Sequence, residues 1–338
     1  MTATLVRAPR TFHVFTDFLV RYGVLAMALI LIIGFSFVIP GFASLTTASA
    51  ILQAQAVAAI AALGMTMAAV VGDLDLSVGA TAGLSVTVAA MVMIRFNLTG
   101  VTAIIFCLLA GLAVGCLNAF LIVVLRIPDL LATLGVMFTI QGLKKWLVDG
   151  QTLTTGMTLP NGEKMPGKFT ADFSAIDGSK LFGVPISVIV LIVVALVVWI
   201  FLERTRFGRV FYAVGGNPVA ARLAGARVNR YRFAAYAISG LLASIAGIIL
   251  ASRLRQGDVT AGDSVLLDAV AMTLIGFAVL GARKPNALGT AVGAVFIGVL
   301  LYGLTRLGLS YFTQDLIKGL VLLLSLVLSF SLSRKRVK

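Results

Sequence analysis

Long apolar stretches separated by short polar breaks dominate this chain, and the stretches around Leu29–Val38, Val184–Leu202 and Leu316–Leu332 are the plainest. A helix needs ~20 apolar residues to cross the hydrocarbon of a bilayer, and several stretches reach that length. Breaks at charges, prolines and glycines predict ten crossings, near 20–40, 50–71, 78–95, 101–125, 130–148, 183–203, 233–252, 265–281, 287–306 and 313–332. The expected fold is an all-α polytopic membrane protein with about ten transmembrane helices. Spans 2–5 and 7–10 form two groups of four that enter the membrane from opposite sides, the count of an inverted repeat. The division that follows is an N-terminal segment 1–19, a single membrane domain 20–333 and a basic tail 334–338. The first apolar run starts only near Val20 and is long enough to span, so it is expected to remain as the first helix.

Two breaks are long. Residues 149–182 mix both signs of charge with Pro160, Gly162, Pro166, Gly167 and Gly178, which reads as an irregular loop. Within it, Gly162 to Lys168 imitates the start of a phosphate-binding loop. Phe169 stands where a Ser or Thr would have to ligate magnesium, and no strand precedes it. The second break, 204–232, is strongly basic.

Composition agrees with this pattern. Of 338 residues 60% are hydrophobic and 12% charged, with a mean hydropathy of +1.07, whereas soluble domains carry roughly 25% charged residues. The net charge of +14 would suit a nucleic-acid partner if it formed one surface. Instead the basic residues collect in short segments between apolar runs: Arg7, Arg10, Arg21, Arg126, seven arginines between 204 and 232, Arg283, Lys284 and the tail. That distribution sets orientation in a bacterial inner membrane. It predicts both termini and the loop 204–232 inside, the loop 149–182 outside, and no nucleic acid. Cys107 and Cys116 lie about two and a half helical turns apart in one apolar run, which suits filler rather than a disulfide. With one histidine, His13, neither a catalytic triad nor a metal cluster can be assembled.

The most informative segment runs from Glu203 to Gly225. Asn217 is a good N-cap, Pro218 a good first helical residue, and Gly225 a good terminator. They delimit a two-turn helix bearing Val219, Ala220, Ala221 and Ala224. A helix so short needs a surface to persist, either its own protein or a groove on a cytoplasmic partner. Asp73, Asp75 and Ser77 precede a span, where they could cap free N–H groups or act in gating. Asp268 and Lys318 are charges within apolar runs, expected either to pair or, for Asp268, to face a passage. Asn118, Thr133, Gln141 and Gln314 are polar positions in apolar surroundings and are candidates for lining a translocation path.

Several of these residues carry a resemblance. Gly72-Asp73-Leu74-Asp75-Leu76-Ser77-Val78-Gly79 is similar to the G-G-I-D-L-S-V-G of ribose-type sugar ABC permeases. Val214-Gly215-Gly216-Asn217 with Ala220-Ala221-Arg222-Leu223-Ala224-Gly225 resembles that family's coupling segment. Ile127-Pro128-Asp129 through Thr133-Leu134-Gly135, Leu267-Asp268-Ala269-Val270-Ala271 and Leu288–Ala294 resemble further motifs in the same order. Asp73 departs from the pattern, and so does Ala282–Asn286 at a place where the family often has a glycine-rich turn. The resemblance implies an importer permease that binds no cofactor itself. It implies a second permease subunit, two ATPase domains carrying ATP and magnesium, and a periplasmic binding protein that delivers sugar. Gly215, Gly216, Asn217, Pro218, Ala220, Ala221, Arg222, Leu223 and Gly225 would then be the ATPase-coupling residues. The alternative class is an ion-coupled secondary transporter using Asp268.

Overall fold

The computed structural model describes residues 10–158, 162, 164–278 and 284–334. Helices occupy the predicted stretches: α1 (Arg10–Val38), α2 (Leu45–Val70), α3 (Val78–Ala90), α4 (Gly100–Ala119) and α5 (Asp129–Leu147). After a long loop that holds the short helix α6 (Ala171–Gly178) come α7 (Ile186–Arg204), α8 (Arg206–Gly216), α9 (Pro218–Leu223) and α10 (Val228–Leu254). The last three are α11 (Asp263–Ala278), α12 (Ala287–Arg306) and α13 (Tyr311–Arg334). Among the described residues, six helices are long and apolar enough to span: α2, α3 with the π-turn Met91–Arg95, α4 with the π-turn Phe120–Val124, α7, α10 and α12. Gly23–Val38 of α1 is a shorter apolar segment. Helix α5 carries Asp129, Lys144 and Lys145, and α11 has only 16 residues.

Local chemistry explains several boundaries. Ser44, Thr99 and Asn286 accept from the first-turn N–H groups of α2, α4 and α12, at 3.2, 3.3 and 2.6 Å. Among the described residues the first helix already runs from Arg10 rather than from near residue 20, because residues 10–19, polar and apolar in mixture, continue the helix ahead of the long apolar run. Residues 1–9, 279–283 and 335–338 lie outside the described residues, and with them most of the basic tail and Arg283. The loop 149–182 proves partly regular, since it holds α6 and leads into a hairpin of β1 (Lys180–Leu181) and β2 (Val184–Pro185).

Helix α2 forms the centre. Residues from Gln55 to Val70 are buried without a break, the mark of a helix surrounded by protein on all sides. It packs against α10, α11 and α12, while α10 packs against α2, α3 and α4. The two groups of helices thus exchange partners. The turns that enter α3 and α11 also match: Asp75 accepts from Ser77 N and Oγ at 3.0 and 2.6 Å, and Asp258 accepts from Thr260 N and Oγ1, both at 2.8 Å. Small residues let the backbones meet, as they do between helices in lipid. Gly111 and Gly240 each face the other's carbonyl, and so do Gly79 and Gly262. At the periphery, Ile192, Val193, Leu196, Val197 and Ile200 of α7 point outward.

Candidate functional site

The α8–α9 segment lies at one end of the bundle and α6 at the other, joined by the length of α10. Helix α9 forms where the capping pattern places it. The Asn217 side chain accepts from Val219 N and Ala220 N at 3.1 and 3.0 Å. Pro218 occupies the first turn, and Gly225 takes φ +88° just beyond the end. Ala221 is buried, and its carbonyl accepts from Ala226 N at 2.9 Å. Val219 and Leu223, one turn apart, are 67% and 86% exposed, and Ala220, Arg222 and Ala224 are also exposed. The helix therefore rests on its own protein through Ala221 and turns two apolar side chains away from it.

Helix α8, which capping and hydropathy at residue 217 do not announce, precedes α9 directly. Thr205 caps it by accepting from Gly208 N at 3.1 Å. Its residues alternate Arg206 and Arg209 with Phe207, Val210 and Phe211, so that one side is basic and the other apolar. At its C-terminal end Gly215 lies directly on the carbonyl of Val70, the last residue of α2. Gly72, at φ +93°, faces Gly215 from the turn beyond. Gly216 has open space around it.

That turn carries the acidic residues. Asp73 does not cap α3; it accepts two hydrogen bonds from Arg232 of α10, both at 2.8 Å. Asp75 is buried, and Ser239 Oγ of α10 donates to its second oxygen at 2.7 Å. Ser77 likewise makes no side-chain cap on α3; its hydroxyl donates to Asp75 and accepts from Asn118 Nδ2 of α4 at 2.8 Å. Asp129, at the start of α5, accepts from Leu74 N at 2.7 Å. One turn thus binds α3, α4, α5 and α10 together and touches α8.

The path candidates are not brought to one place. Asn118 belongs to the Asp75 cluster. Thr133 donates to the carbonyl of Asp129 in its own helix at 2.8 Å, and Gln141 is half-buried further along α5. Gln314 bridges the α12–α13 turn, accepting from Thr305 and donating to Leu309 O. Asp268 of α11 is paired with Lys318 of α13 at 2.6 Å, and Asp315 lies 3.2 Å from the same ammonium. Arg232, Ser239 and Lys144 were not singled out by sequence patterning. Lys144 is buried, donates to Ala261 O at 3.0 Å and lies 3.8 Å from Asp263. An ionisable residue in an apolar helix is a usable signal for Lys144; nothing local marks Ser239.

A bundle holding six helices long and apolar enough to span, among the described residues, is that of a multi-pass membrane protein, and the family it matches makes it a permease component. Residues 47–328 match the family described as branched-chain amino acid transport system / permease component, and the chain belongs to it, on the side of the ribose-type sugar ABC permeases. It is 35% identical over 300 residues to the "Ribose import permease protein RbsC" of Escherichia coli (strain K12), covering 88% of this chain and 90% of that one. The protein of the same description from Bacillus subtilis (strain 168) is 34% identical over 299 residues, 88% and 89% of the two chains. The "Autoinducer 2 import system permease protein LsrD" of Enterobacter sp. (strain 638) is 31% identical over 277 residues, 82% of each. No solved structure matches.

Proposed function

We propose that this chain is the membrane-spanning subunit of an ATP-driven importer for a sugar or sugar-like solute, and that α9 is the element through which a separate ATPase drives it. The exposed pair Val219 and Leu223 carries this reading. A two-turn helix that presents two large apolar side chains to water gains stability only when a partner covers them. The names of the relatives supply the sugar class. In this reading there are ten spans with both termini, α8 and α9 in the cytoplasm, and the loop 149–182 meets a periplasmic binding protein. A second permease, identical or related, completes the pathway, and ATP with magnesium sits on the ATPase pair. In this reading the exchanged packing of α2 and α10 comes from two inverted repeats, whose relative rocking alternates access.

Gly215 provides the link. Movement of α9 shifts α8, and α8 bears through Gly215 on the end of α2 and the turn 72–77. That turn is anchored to α10 by Asp73–Arg232 and Asp75–Ser239. The drive comes from the ATPase binding one permease conformation better than the other. Asp268, which an ion-coupled mechanism would use, is already held by Lys318. The test is purification of the tagged chain from native membranes with mass spectrometry of what remains bound. Wild type is expected to retain an ATPase, and Val219→Asp with Leu223→Asp is expected to lose it. Recovery of the chain alone, with ion-dependent uptake in liposomes, would falsify the proposal.

A further inference from the structure

A recess of about 860 Å3 opens between the turn joining α4 to α5 and the segment joining α9 to α10. Its lining includes Arg126, Arg222, Arg227, Arg230 and Arg232, with Asp129 as the acidic member. Two of these groups are already engaged: Arg232 with Asp73, and Asp129 with Leu74 N. Among the described residues, the other four arginines make no ion pair. Arginines needed only for membrane orientation would serve anywhere in these loops. Here residues from position 126 and from 222–230, distant in sequence, converge on one concavity. Arg227 also stands at the N-cap of α10 without a side-chain cap bond, which leaves the positive end of that helix facing the same region. Four unpaired guanidinium groups repel one another, and a bound anion relieves that repulsion with charge-assisted hydrogen bonds.

A second recess, of about 830 Å3, adjoins the first, and Ala226, Arg227 and Arg230 line both. Its other walls are apolar, with Phe201 of α7, Phe207 and Val210 of α8, and Ile238 of α10 among them. A cationic cradle continuous with an apolar slot at the end of the spanning helices has the shape of an amphiphile. A free phosphate would fill only the first recess. We propose that the two recesses together bind an anionic phospholipid, its phosphate held by Arg126, Arg222, Arg227 and Arg230 and an acyl chain laid along Phe201, Phe207 and Ile238. Arg222 belongs to α9 and so borders the surface read above as the docking helix, whereas Arg126, Arg227, Arg230 and the apolar slot of Phe201, Phe207 and Ile238 lie outside that helix and do not depend on that reading.

The full chain is placed in nanodiscs containing equal phosphatidylglycerol and phosphatidylcholine, and retained lipid is measured by native mass spectrometry. Wild type is expected to keep phosphatidylglycerol in preference. Arg126→Gln with Arg230→Gln is expected to weaken that preference roughly tenfold or more, since each cation near an anionic lipid contributes a comparable factor of several. Should the double variant not fold, the wild-type protein carries the test through a series in which phosphatidylglycerol is replaced by a neutral diacylglycerol. Loss of retention there supports recognition through phosphate. Equal retention of the two phospholipids overturns the proposal. So does binding of inorganic phosphate, added at millimolar concentration, to the wild type but not the double variant with no lipid retained, which assigns the cradle to a soluble anion. Co-purification of the ATPase lost in the same variant with no lipid retained also overturns it, and assigns the cradle to a protein surface.

Discussion

Asp177 on α6 is buried against the far end of α10, where Arg253 Nε donates to one carboxylate oxygen at 2.9 Å. Gln53 of α2 donates to the Asp177 carbonyl at 2.9 Å, so one acidic residue ties the loop 149–182 to both central helices. Burial alone would raise this carboxyl, but the hydrogen bonds from Arg253 and its charge outweigh it and hold the group below the ordinary carboxylate range. Because the folded value lies below an unfolded value of about 3.9, the pair contributes fully above about pH 4 and is lost as pH falls through the folded value. Thermal melting of the purified protein is therefore expected to fall below about pH 4, and Asp177→Asn should flatten that limb. At neutral pH the substitution is expected to cost roughly 1–3 kcal/mol, since Arg253 loses its partner but stays partly exposed. The Asp268–Lys318 pair, at 2.6 Å, lies within apolar helices where an unpaired charge is costly. Reversing either residue alone should lower expression and melting temperature. Reversing both should restore most of each; a double reversal no better than the singles would show that the pair is not what holds these charges. Both partners were legible as unusual charges in apolar runs. The Asp75 cluster was not legible as a cluster: Asn118 stands out in the sequence only as a polar position in an apolar run, and Ser239, from a helix remote in sequence, is unremarkable where it stands.

Element boundaries were largely legible, for the reason that capping chemistry is local. Asn217, Pro218 and Gly225 announce α9 within nine positions, and its side-chain hydrogen bonds form as the pattern requires. Helix α8 was missed because Arg206 to Gly216 alternates basic and aromatic residues without a long apolar run. Helix α6 was missed because it is 8 residues long and held by tertiary contacts through Phe173 and Asp177. The neighbouring glycines of α8 allow a matched comparison. A Cβ at position 215 would collide with the Val70 carbonyl, whereas one at 216 would meet nothing within 4 Å. Gly215→Ala is expected to lift α8 from α2 and to reduce solute uptake in a transport assay far more than ATP hydrolysis. Gly216→Ala should leave both near wild type. Equal effects of the two substitutions would remove Gly215 from the coupling route. Asn217→Ala should weaken α9 by about 1 kcal/mol through loss of the cap, read as weaker retention of the ATPase.

At the scale of the whole molecule, hydropathy shows that the chain crosses the membrane but not how its helices are arranged, since most spans are apolar nearly all round. The exchange in which α2 meets α11 and α12 while α10 meets α3 and α4 rests on close approaches at particular glycines. In a chain with 34 glycines, spacing alone does not show which of them touch. Gly111 of α4 and Gly240 of α10 are the clearest pair, because a Cβ on either would strike the other's carbonyl. Dispersion and packing, rather than exclusion of water, hold such helices together in lipid, so separating the backbones removes many small contacts at once. Gly111→Ala and Gly240→Ala are each expected to destabilise by roughly 1–3 kcal/mol in a thermal or denaturant assay. Once either methyl has pushed α4 from α10, the second enters a gap already opened. The double variant should therefore cost less than the sum of the singles by at least about 0.5 kcal/mol. Strict additivity would mean that each glycine is constrained by a different neighbour, and that the α4–α10 contact is not the rigid joint on which two rocking halves could turn.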